Sequence, residues 1–272
     1  MKTTTLIYNV LFKEGIVNFI KRKRNITFLD SKTIFTINYR DKKTKIVLNR
    51  KFGHVDLKIF KNGIYEKEIV DDIFNELDSS KNFVDIGANI GQHSLLMASY
   101  CKNVYSFEPI PAVFKQFKES VGLNNYKNIH LFNTAVGSKK EEKSFNFVTN
   151  HAGTSSFVER ENPNSEVMTV HIDTLQNLLG DTKIDVLKLD VEGYESVVIL
   201  GNKEKILRDK PVIFMEYNPD WIEKEGSFTR NEVFDFFIDN DFTVFSRNNN
   251  KTLSKADLDT NSQDNWIIKP AL

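Results

Sequence analysis

The chain lacks most of what would tie it down covalently or draw it to a charged partner. Its 272 residues include one cysteine, Cys101, which cannot close an internal disulfide or furnish a cysteine-based zinc site. A lone thiol suits a reducing, cytoplasmic setting, and its place between a helix and a strand makes it structural rather than nucleophilic. With only 12 glycines and 6 prolines, an extended disordered tract is disfavoured. Net charge is absent: 37 Lys and Arg balance 37 Asp and Glu, so no global field pulls the chain toward nucleic acid or an anionic membrane. No run of about 18 uncharged apolar residues exists, which excludes a spanning helix. Segment 6–20 is too interrupted, by Lys13 and Glu14, to read as a signal peptide.

What remains is ample core material, 40% hydrophobic with 22 phenylalanines. Leu6, Ile7, Val10, Leu11, Val17 and Ile20 recur at helical spacing ahead of the basic run 21–24. This predicts an amphipathic packing or homo-oligomer helix, with attachment to a membrane surface as the alternative. Short alternating runs at 33–39, 45–48 and 55–60 predict strands of a small antiparallel unit, with Asn62-Gly63 as a turn. Residues 1–64 are thus expected to form a helix and strand extension serving as cap or dimer element, and 65–272 the main domain.

From residue 66 the pattern changes. Helical periodicity at 66–77, 91–100, 112–123, 174–179, 195–207 and 230–240 alternates with apolar runs at 83–86, 104–107, 129–132, 186–189 and 212–215. Strands regularly separated by helices predict a doubly wound α/β domain with a parallel sheet covered on both faces. Thr229 and Glu232 form a capping-box pattern at the last helix. Two final strands are expected at 242–245 and 266–268, joined by a polar surface loop over 247–264.

The run Phe83-Val84-Asp85-Ile86-Gly87-Ala88-Asn89-Ile90-Gly91-Gln92 is a buried strand breaking into a glycine turn and then a helix. Gly87 and Gly91 allow close approach of backbone and ligand, and the following helix presents free N–H groups. Glu108 ends the next strand, where an acidic side chain can take both ribose hydroxyls of a nucleotide-like cofactor. The dinucleotide spacing G-x-G-x-x-G is absent, and Asp85 before the turn would repel a pyrophosphate. That carboxylate suits the ammonium of an amino-acid moiety, pointing to S-adenosylmethionine.

The runs VDIGANIGQHSLLMA (84–98), SFEPIPAVF (106–114), NTAVG (133–137) and LKLDVEGYE (187–195) resemble the FkbM family of S-adenosylmethionine-dependent methyltransferases, and the similarity covers about residues 55–245. The resemblance implies a class I methyltransferase fold, a seven-stranded sheet with its last strand antiparallel. It implies that Gly87, Asn89 and Gly91 line the methionine part of the cofactor, Glu108 the ribose, and Asn133 with Ala135 the adenine edge, with Ala88 and Pro109 also among the cofactor-binding residues. S-adenosylhomocysteine would be the product.

Methyl transfer is an in-line displacement, so the protein must align the acceptor and remove its proton. Asp190 and Glu192, after the fourth strand of the main domain, are the leading candidates for orientation and general-base work, with Asp190 also beside the cofactor. Glu195 suits a helix first turn instead. Glu216 could bind an acceptor hydroxyl, and His151, in a polar loop, is an alternative base. His93 could contact cofactor or acceptor. The carboxylates could hold a divalent ion, but no diagnostic ligand spacing is present and no metal is assigned. The expected activity is O-methylation of a sugar, glycan or related natural product. The rivals are an N-methyltransferase acting on an amino sugar, protein or small amine, and a non-catalytic cofactor-binding scaffold.

Overall fold

Alternate residues of the first buried strand face different cores, which is what a doubly wound sheet requires. In a computed structural model, which describes residues 32–49, 53–149, 151–158, 164–258 and 263–271, Phe83 packs in one apolar cluster and Val84 in another. The main sheet is built from β3 (Asn82–Ile86), β4 (Asn103–Phe107), β5 (Ile129–Phe132), β9 (Val186–Leu189), β10 (Val212–Tyr217), β11 (Phe242–Ser246), β12 (Lys251–Thr252) and β13 (Asp264–Pro270). Outside it, β1 (Thr33–Tyr39) and β2 (Lys42–Leu48) form a separate hairpin, and β6 (Ala135–Val136), β7 (Glu141–Val148) and β8 (Ser165–Asp173) a separate three-stranded sheet.

The main order is β12-β11-β13-β10-β9-β3-β4-β5. Strands β5, β4, β3, β9 and β10 pair in parallel, and β13 runs antiparallel to both β10 and β11. Apart from the two-residue β12, this is the expected seven-stranded class I methyltransferase sheet with its last strand antiparallel. The order reverses between β3 and β9, so their carboxyl ends flank the crevice where ligands bind in open α/β sheets.

One face carries α1 (His54–Asn62), α2 (Lys67–Glu76), α3 (Gln92–Met97) and α4 (Pro111–Asn124). The other is covered chiefly by α5 (Leu175–Leu179), α6 (Glu195–Gly201), α7 (Lys203–Asp209), α8 (Pro219–Glu225) and α9 (Arg230–Asp239). The β1–β2 hairpin packs Phe35, Ile37, Ile46 and Leu48 into the same cluster as Val113 and Phe117 of α4. Among the described residues no helix is long and apolar enough to cross a membrane. The amphipathic segment 6–20 and its basic end lie outside the described residues.

Three expectations change. Segment 55–60 is helix α1, not a strand, and Gly63 caps it. Its buried residues Asp56, Ile59 and Phe60 follow helical spacing. Asp56 is polar because it accepts hydrogen bonds from Asn49 N–H (2.6 Å) and Gln116 Nε2 (2.8 Å), and this hides the period. The helix expected over 195–207 divides at Asn202, whose side chain leaves the helix axis to accept from Leu175 N–H (2.7 Å) and donate to the Gly137 carbonyl (2.9 Å). The stretch 247–264 is not wholly irregular, since it contains β12 and a 3-10 turn whose neighbours Leu253 and Leu258 are buried. The capping box at Thr229 and Glu232 is present.

Candidate functional site

The glycine turn is fixed by close backbone approach. Gly87 adopts φ +79°, and a Cβ there would lie 1.9 Å from the Asp190 carbonyl oxygen, so β3 and β9 meet only over a glycine. A Cβ on Gly91 would lie 2.1 Å from the Phe117 ring, so this residue seats the start of α3 against α4 and does not line the crevice. Gly87 and Ala88 N–H both donate to the Phe107 carbonyl (3.0 Å each).

Glu108, at the end of β4, is buried on the crevice wall. Its Oε2 accepts from Asn89 N–H (2.9 Å) and its Oε1 from Ile110 N–H (2.8 Å). Burial, only partly offset by these donors, pushes its carboxyl up to about 7. Asn133 stands behind it and donates Nδ2 to the carbonyls of Glu108 (2.9 Å) and Pro109 (3.1 Å). Asp85 is completely buried beneath the turn, accepting from Ser94 Oγ (2.5 Å).

Opposite this wall, charge is concentrated. Asp190, Glu192 and Glu216 each place a carboxylate oxygen within 4.8 Å of the other two. Lys188, almost fully buried on β9, donates to Asp190 (3.1 Å). Burial works against that ammonium, but Asp190, Asp85 and Glu66 together hold it charged. Burial would likewise raise Asp190, yet Lys188 overrides it and keeps the carboxyl below its ordinary range. Glu216 goes the other way: the charge of Asp190 and then burial push it up to about 10, so the hydrogen-bonded pair carries one proton. Glu216 also accepts from Gln263. Glu192 adopts φ +55°, and its carbonyl accepts from Ser156 Oγ (2.6 Å), tying this loop to the β7–β8 connection. Glu195 points inward, accepting from Val191 N–H (3.0 Å) and Gly193 N–H (2.9 Å), and so builds the turn.

Two further elements complete the enclosure. His151 and His54 face each other with ring centroids 4.5 Å apart, and the buried Nδ1 of His151 has no hydrogen-bond partner. Burial, then the neighbouring His151, lowers the pKa of His54. Between α1 and α2, Tyr65 N–H donates to Gln92 Oε1 (2.7 Å) while Gln92 Nε2 donates to the Tyr65 carbonyl (2.8 Å). Glu66 then reaches the crevice edge, 3.8 Å from His93 Nε2.

These walls enclose one cavity of about 220 Å³. Of the residues expected to bind cofactor, Gly87, Ala88, Asn89, Glu108, Pro109, Ala135 and Asp190 line it, whereas Asp85, Gly91 and Asn133 stand behind the lining. All four residues expected to be catalytic, Asp190, Glu192, His151 and Glu216, line it, and so does His93. Sequence reasoning missed His54, Tyr65, Gln92 and Lys188. Lys188 carried a readable signal, a lone cation inside a buried apolar strand beside an aspartate, whereas His54 was hidden by reading α1 as a strand.

The methyltransferase FkbM domain family matches residues 85–244, more than half of the chain. Similar folds among solved structures include the methyltransferase FkbM from Methylobacillus flagellatus KT, 13% identical with a TM-score of 0.47, covering 78% of this chain and 52% of that one. Others are an rRNA methylase from Streptococcus thermophilus (12%, TM-score 0.45, 75% of this chain and 95% of that one) and SMU.1697c from Streptococcus mutans in complex with SAH (14%, TM-score 0.45, 75% and 96%). No curated protein matches the chain. The match begins at Asp85, beneath the glycine turn, and runs through Glu216 to β11, and on that match the chain belongs to the FkbM methyltransferase family.

Proposed function

We propose that this methyltransferase uses S-adenosylmethionine to methylate a hydroxyl of a sugar, glycan or related natural product. The observation that carries the reading is the convergence of two unlike walls on one cavity: a glycine turn with a carboxylate, and a cluster of carboxylates facing it. The first wall fits the cofactor. Each Glu108 oxygen holds one N–H and keeps a second lone pair for a ribose hydroxyl. Gly87 to Asn89 offer a side-chain-poor surface for the methionine part, and Pro109 and Ala135 an apolar edge for the base. When bound, S-adenosylmethionine supplies an electrophilic methyl group.

The second wall fits a hydroxylated acceptor. Asp190, held ionised by Lys188, accepts a hydrogen bond from the acceptor and orients it. Protonated Glu216 can donate to a neighbouring acceptor oxygen, which suits a polyol better than a cationic amine. Glu192 and His151 are the groups on the wall able to take up the acceptor's proton.

The test is methyl transfer to matched hydroxy and amino sugars, followed by mass spectrometry and by formation of S-adenosylhomocysteine. Modification at oxygen is expected. Transfer confined to the amines would replace this reading with N-methylation, and failure to bind S-adenosylmethionine by calorimetry would remove it.

A further inference from the structure

We infer that Asp190, Glu192 and Glu216 form a site for one divalent, oxygen-seeking cation, which would hold two neighbouring hydroxyls of the acceptor. Three carboxylates from the end of β9, the loop after it and the end of β10 converge, with one oxygen of each within 4.8 Å of the others. Two ligands of one ion with bonds of about 2.4 Å lie at most about 4.8 Å apart, so the three oxygens are close enough to share an ion, and they leave coordination positions open for water or acceptor. An all-carboxylate set selects a hard cation such as Mg²⁺, Mn²⁺ or Ca²⁺ over zinc or copper, and its binding displaces the proton that Glu216 shares with Asp190 in the ion-free site, so the ion takes over from Glu216 the contact with the acceptor oxygen.

The surroundings point to a ligand independently of the cluster. His93 on α3 is 94% buried, since its exposure is 6%, and it lines the same cavity. Its Nε2 has no hydrogen-bond partner and lies 3.8 Å from a Glu66 oxygen, and the ring feels the charge of Lys188 and then that of Asp190. A buried ring nitrogen facing a carboxylate wall without a partner is a cost that one water of a hydrated cation would remove. The charge count agrees. Asp190, Glu192 and Glu216 line the cavity with Lys188 as the one lysine or arginine on its wall among the described residues, and Glu66 lines a small adjoining pocket with Lys188, Asp190 and Glu216. Glu66 adds a fourth oxygen donor at the margin, suited to bind a metal-held water.

The ion's role in holding the acceptor rests on the hydroxyl-methylating reading above, but the site itself does not. The measurement is Mn²⁺ binding to chelator-treated full-length protein in the presence of S-adenosylhomocysteine, read by electron paramagnetic resonance of free Mn²⁺, with Mg²⁺ and Ca²⁺ as competitors. One saturable site is expected in the parent protein, displaced by Mg²⁺ or Ca²⁺. Glu192→Gln and Glu216→Gln, each checked for folding by circular dichroism, should weaken it at least tenfold. Absence of saturable binding at millimolar Mn²⁺, or equal affinity in both folded variants, would overturn the site. Calorimetry with S-adenosylhomocysteine separates the two readings: cofactor binding without Mn²⁺ binding defeats only the cation site, whereas Mn²⁺ binding without any hydroxyl methylation defeats only its role.

Discussion

The two walls of the cavity are built on opposite principles. The wall formed by the ends of β3 and β4 is stabilised by backbone: Gly87 and Ala88 N–H share one carbonyl, and the lone carboxylate, Glu108, is satisfied by two N–H donors. The wall formed by the ends of β9 and β10 is built of side-chain charge, with Asp190, Glu192 and Glu216 crowded together and the buried Lys188 paired to Asp190. The first wall is preorganised for a ligand of fixed shape. The second stores like-charge repulsion that a hydrogen-bonding or cationic ligand would relieve.

The sharpest way to break this contrast is Gly87→Ala, which sets a methyl group against the Asp190 carbonyl and so disrupts both walls at once. With φ also positive, a loss of about 4 kcal/mol or more is expected, read as a collapse of the thermal midpoint. Retained stability would mean the strands can separate there without cost. Asp190→Asn should confine its damage to the charged wall: turnover falls by roughly a hundredfold while affinity for S-adenosylhomocysteine changes far less. If the two constants drop together, the walls are not functionally separate. Glu108→Ala should do the reverse, weakening S-adenosylmethionine binding by about 1–3 kcal/mol in calorimetry through lost ribose contacts.

The smallest effect is set by pH. The Glu108 carboxyl titrates near 7 in the folded chain, above its ordinary value of 4.5, because burial favours the neutral form. A raised folded value means this stabilisation is complete below the ordinary value and is lost as pH rises through 7. Glu195, raised to about 7 by burial, acts in the same direction. The ligand-free protein should therefore lose about 1 kcal/mol per group between roughly pH 5 and pH 8, less than the full shift implies because charged groups recruit water. Glu108→Gln should flatten the slope of thermal midpoint against pH. A midpoint that rises across this interval in the parent would contradict the assignment.

The backbone wall was far more legible in the sequence than the charged one. A buried strand, a glycine turn and an acid at the next strand end are local patterns, and their spacing alone brings Gly87, Asn89 and Glu108 together. The carboxylates of Asp190 and Glu216 were readable as residues at strand ends, but their opposite protonation was not, because it depends on Lys188 and on the distance between β9 and β10. His54 and Tyr65 reach the cavity through long-range packing that no window of sequence contains. The inserted β6-β8-β7 sheet escaped for a related reason: β8 is largely exposed, with Val167 73% accessible, so its alternation is weak.

The paired hydrogen bonds between Gln92 and Tyr65 give the two walls a shared hinge pin. A side-chain amide takes the place of a neighbouring strand here, offering one donor and one acceptor to the backbone of a loop that has no ladder of its own. Gln92 opens the helix behind the glycine turn, and Tyr65 directly precedes Glu66 at the acidic edge. A displacement of that helix would pull on the loop that carries the acidic margin, so one glutamine ties the two walls together mechanically.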